Sequence, residues 1–120
     1  MSGSTQAWDG DLVRKWLEGR LAAARLEQAA ADKRGREAQD DYDKAAAEEW
    51  VCHVLKAAGR ADDRTGFAAQ LKELLAQDEY RVTGVHDERR FDRNVRATLR
   101  KIARMTKAND GFANVLRYQG

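Results

Sequence analysis

Not one proline occurs among the 120 residues. Proline removes a backbone donor and stops helices, so it normally punctuates loops. Its complete absence, in a chain rich in alanine, leucine, glutamate, lysine and arginine, predicts long helices with short connections. Hydrophobic residues make up 42% and charged residues 35%, enough for a modest core under a heavily charged surface. The expected fold class is mainly α: a helical bundle with a long N-terminal helix or helical hairpin and a C-terminal basic helix.

Apolar residues recur at helical spacing along most of the chain. Leu12, Val13, Trp16, Leu17, Leu21 and Ala24 define a first helix from about Gly10 to Ala31, with Asp9 or Asp11 as its cap. The pattern resumes with Ala38, Tyr42, Ala45, Ala46, Trp50, Val51, Val54 and Leu55, and ends at Gly59, a candidate left-handed cap. Between them lies Ala31-Asp32-Lys33-Arg34-Gly35-Arg36-Glu37, polar all round with one glycine. A turn there makes a hairpin. A helix running through costs only about 1 kcal/mol for the glycine. The absence of a true turn cluster favours the long or slightly broken helix.

Capping residues at Ala61–Thr65 introduce a third helix to about Gln77, with Phe67, Leu71, Leu74 and Leu75 on one face. A brief strand or extended loop is expected around Val82-Thr83-Gly84-Val85. Asp87 caps a fourth helix, and Arg90 stands where a reciprocal capping box would place a glutamate. Asn109-Asp110-Gly111 signals a turn, after which Phe112–Tyr118 reads as a last strand or a final helical turn. This order loosely matches the arrangement of a winged helix-turn-helix, with Phe112–Tyr118 in a short β-hairpin wing. The organisation expected is a flexible tail over 1–8, a helical arm or hairpin over 9–58, and a small basic helical domain over 59–120.

Charge is divided unevenly. Residues 1–80 hold 12 Lys/Arg against 16 Asp/Glu, whereas 81–120 hold 10 against 4, so an acidic body carries a basic end. Most of that excess lies on the fourth helix, roughly Glu88 to Ala108. At about 100° per residue, Arg89, Arg93, Arg96, Arg100, Arg104 and Lys107 fall within a sector of about 80°. Phe91, Val95, Thr98, Leu99, Ile102 and Met105 gather on the other side, and Arg90 and Lys101 widen the basic sector along one edge. Asp87, Glu88 and Asp92 sit in the first turn, where they serve the cap and the helix dipole.

Six like charges on one face repel and forgo stabilising i,i+4 pairs with acids. Arginine's planar fork suits phosphate oxygens, and one cation per turn suits a helix along a duplex groove. The expected partner is nucleic acid, DNA ahead of RNA. The alternative is an acidic protein surface, including the acid-rich segment Glu37 to Glu49 of a second copy. A long arm with one apolar face also suggests a homodimer through the N-terminal helices, or cover from the chain's own C-terminal half.

Other chemistry finds little footing. Cys52 and His53 are neighbours on a helix and point apart, and His86 is remote, so no metal site is expected. Asp40, Asp41, Asp43, Glu48 and Glu49 lack the Glu-x-x-His ligation of di-iron bundles. Gly84 and Gly111 stand alone, without a phosphate-cradling loop. No nucleophile, base and oxyanion donor group together, so neither catalysis nor a cofactor is expected. One cysteine suits a reducing compartment, and no signal peptide or membrane-length apolar run is visible, so a cytoplasmic protein is expected.

Overall fold

The computed structural model describes residues 8–80, 87–108 and 111–119. Five α-helices follow in order: α1 Gly10–Arg34, α2 Gln39–Ala58, α3 Arg64–Leu75, α4 Glu88–Lys107 and α5 Gly111–Gln119. A 3-10 turn, Gly35–Ala38, joins α1 to α2. The mainly helical bundle is as expected. No helix among the described residues is long and apolar enough to cross a membrane.

The starts of α1, α3 and α4 are chemically marked. Asp9 accepts from the backbone N–H groups of Asp11 and Leu12, Asp63 from those of Thr65 and Gly66, and Asp87 from that of Arg90. These carboxylates satisfy orphan donors and complement the positive helix end. Gly59, at φ 68°, closes α2 in the left-handed region.

The reversal at Gly35 corrects the preference for one long or slightly broken helix pair over a compact turn. Gly35 adopts φ 79°, ψ −148°, a conformation essentially reserved for glycine, and its N–H is directed at the carbonyls of Ala31 and Asp32. The chain therefore reverses, and α1 and α2 pack antiparallel. Glu18 meets Lys56, Arg20 meets Glu48 and Arg34 meets Asp41 along the pair. In its outer half the hairpin is sealed by Ala24, Ala31, Ala38 and Ala45, all buried. That ladder of methyl groups, drawn from α1, the turn and α2, allows close approach of the backbones.

Below the hairpin the core is continuous. Val13, Trp16, Leu17 and Leu21 of α1 and Val51, Cys52 and Leu55 of α2 join Phe67, Leu71 and Leu74 of α3. Phe91, Val95, Leu99, Ile102 and Met105 of α4 complete the cluster. Each fully buried Val, Leu, Ile or Phe side chain contributes about 1.5–3 kcal/mol of transfer free energy. The apolar face of the hairpin is thus covered within the chain. Leu26, 73% exposed, is the large hydrophobic residue left outside among the described residues.

The winged helix-turn-helix expectation is corrected. No strand occurs among the described residues, and Phe112–Tyr118 lies in helix α5. Phe112 packs edge-on against Trp16 and Trp8, with ring centroids 5.4 and 5.8 Å away, and Val115 follows it one turn later onto the same core. That i,i+3 spacing outweighs the β-propensity of the individual residues. The extended piece expected at 82–85, the turn residues Asn109 and Asp110 and the tail through residue 7 lie outside the described residues.

Candidate nucleic-acid interface

Helix α4 owes its orientation to the apolar stripe. Phe91, Val95, Leu99, Ile102 and Met105 are buried, so the opposite face must point to solvent. Thr98 and Thr106, within the apolar half, return their hydroxyls to the carbonyls of Asn94 and Ile102, so neither hydroxyl is left without an acceptor.

The eight cations named from the sequence fall into three groups. Arg89, Arg93, Arg100, Arg104 and Lys107 are exposed, and none forms an ion pair or side-chain hydrogen bond with a described residue. They form the crest of the helix. Arg90 instead reaches α2, where one terminal nitrogen lies 3.0 Å from Asp40 and 3.0 Å from Asp43. The hydrogen bond to Asp43 and the charge of Asp40 raise the guanidinium pKa above its ordinary value. This clasp explains the departure from a capping box at that position.

Arg96 also turns away from the crest. Its terminal nitrogens donate to the carbonyls of Leu75 at 2.8 Å, Gln77 at 2.7 Å and Asp78 at 3.3 Å, and its guanidinium stacks 5.0 Å from the Tyr80 ring. It caps the C-terminus of α3. Lys101 is exposed on the flank of α4 and lines a cleft shared with α1 and α2.

Sequence reasoning passed over Arg64. From the first turn of α3 it donates to the carbonyls of Thr106 at 2.6 Å and Lys107 at 3.0 Å, at the end of α4. Helices α3 and α4 therefore run antiparallel, and each has its C-terminal carbonyls capped by an arginine of the other. An arginine in a helix's first turn opposes that helix's own dipole, which was the available signal for a partner elsewhere. With Arg64 at hand, the negative end of α4 adds little negative potential beside Lys107.

The acids have other occupations. Of the six in Glu37–Glu49, five face an arginine of this chain: Asp40 and Asp43 on Arg90, Asp41 on Arg34, Glu48 on Arg20 and Glu49 on Arg25. On α4 itself, Asp87 is the cap, held below the usual carboxylate range by the backbone N–H of Arg90. Asp92 accepts from the backbone N–H of Tyr80 at 3.1 Å.

Cys52 is fully buried, and burial pushes its thiol up to about 12, which leaves almost no thiolate near neutrality. No group of three His, Cys, Asp or Glu side chains converges on a metal-binding point among the described residues. His86 lies outside them. Comparison with protein-family models, curated proteins and solved structures finds no match for this chain.

Proposed function

We propose that this chain is a small nucleic-acid-binding protein, a regulator or an accessory subunit of a nucleoprotein complex, and that the crest of α4 contacts the phosphates of duplex DNA. The observation behind this reading is the separation of charges. A chain with 20 acids spends nearly all those of its acidic segment on Arg20, Arg25, Arg34 and Arg90, and leaves Arg89, Arg93, Arg100, Arg104 and Lys107 without an ion pair among the described residues. Crest neighbours at i,i+4, such as Arg89 with Arg93 and Arg100 with Arg104, repel by about 0.2–0.5 kcal/mol per pair. An anionic partner reverses that sign.

Form argues for a duplex. From residue 89 to residue 107 the crest spans about 27 Å of helix axis at 1.5 Å per residue. A straight basic helix matches the width of the B-DNA major groove, whereas the major groove of A-form RNA is too narrow to admit one. Phosphate contacts of this kind position the protein and carry no sequence information in themselves. The same separation weakens the rival reading, in which the acidic segment of a second copy occupies the crest, because those acids are engaged within their own chain.

Reversing two crest charges tests the reading. In the Arg100→Glu/Arg104→Glu double variant, binding to a short random-sequence duplex should fall at least a hundredfold, with the helical circular dichroism unchanged. Absence of binding by the unaltered protein to duplex and single-stranded nucleic acid, at micromolar concentration and low salt, would exclude it.

A further inference from the structure

Beside the crest lies a cleft of about 270 Å³, lined by Arg20 and Glu27 of α1, Lys44 and Glu48 of α2, and Asn94, Ala97, Thr98 and Lys101 of α4. Its acids and its cations are not equally available. Arg20 lies 2.6 Å from Glu48 and 3.7 Å from Glu27, so one guanidinium answers both carboxylates, and the Glu48 side chain is only 15% exposed. Lys44 and Lys101 are exposed and have no ion pair among the described residues, although they line the same cleft from different helices. Two ammonium groups sharing one concavity are stabilised by an anion placed between them.

The cleft adjoins the crest through one row of α4. Residues 89, 93, 97 and 101 form one i,i+4 row along α4, reading Arg, Arg, Ala, Lys. Exposed Ala97 is the short member between two cations, and it lines the cleft where the row descends from Arg93 to Lys101. A phosphodiester strand lying on the crest can enter there past a methyl group.

We infer that this cleft is a second phosphate-binding row of the same interface, in which Lys101 and Lys44 hold backbone phosphates of the nucleic acid seated on α4. The inference rests on the nucleic-acid reading and extends it from one helix face to a surface that includes the α1–α2 hairpin. Glu27 then acts against binding as the more exposed carboxylate of the cleft.

The test is the salt dependence of duplex binding by the full chain. Each neutralised phosphate contributes about −0.9 to the slope of log affinity against log salt, so five crest cations predict about −4.5 and seven about −6.3. The Lys44→Gln/Lys101→Gln variant should return the slope from about −6.3 to about −4.5. Ala97→Leu should weaken binding without any change of charge, and Glu27→Gln should strengthen it. All four positions are exposed, so thermal midpoints should stay close to that of the unaltered protein. If the lysine variant keeps the full slope while Arg100→Glu/Arg104→Glu abolishes binding, the cleft inference fails and the crest reading survives. If the unaltered protein binds no nucleic acid, both fail.

Discussion

Arg93 and Arg96 stand three residues apart on one helix and do different work. Arg93 points into solvent, whereas Arg96 holds three carbonyls at the end of α3 and covers Tyr80. Arg96→Ala should therefore lower stability by about 1–3 kcal/mol, the cost of losing charge-assisted hydrogen bonds. Arg93→Ala should leave stability within about 0.5 kcal/mol and weaken duplex binding. Urea melts and anisotropy titrations on the two variants check this pair. Cys52 offers a pH test at the same scale. Its folded-state thiol pKa of about 12 lies above the ordinary 9.0, so its contribution to stability is complete below pH 9. That contribution declines as pH rises from 9 towards 12, by up to about 1.4 kcal/mol per pH unit. The difference in stability between the unaltered protein and Cys52→Ala should shrink over that range, and a difference constant with pH would count against the assignment.

The elements were legible where periodicity and capping coincided. Asp9, Asp63 and Asp87 open their helices, Gly59 closes α2, and the apolar face of α4 is buried as its spacing predicts. The errors arose where a local signal was ambiguous. Gly35 alone did not announce a turn, because one glycine is cheap in a helix, and the reversal depends on an alanine ladder that only antiparallel packing completes. Gly35→Ala should cost about 1–3 kcal/mol, since a methyl group is strained at φ 79° with ψ −148°. A thermal melt in which Gly35→Ala matches the unaltered protein would contradict the turn. At α5, the β-propensity of Phe112 and Val115 concealed their i,i+3 spacing onto an aromatic cluster contributed by α1, α3 and the preceding Trp8.

Across the whole molecule, the fold sorts its charges. The basic helix was visible in the sequence, but which cations remain available was not, because that depends on contacts between residues far apart in the chain. Arg90 meets Asp43 across 47 positions, and Arg64 meets Thr106 across 42. Arg96, turned to the carbonyls at the end of α3, reduces the stripe of six to a crest of five, and Arg90 is committed to α2. The fold also sets Lys44 of the acidic half and Lys101 of the basic half on one cleft, a juxtaposition that no helical wheel displays. The proposed binding of duplex phosphates to this sorted surface can be read from the affinity of the unaltered protein between 50 and 200 mM salt, a range of about fourfold over which several neutralised phosphates produce a steep fall. Affinity should fall at least several hundredfold; an affinity that is undetectable at low salt, or one that changes less than about fivefold over that range, would rule out phosphate binding by the crest.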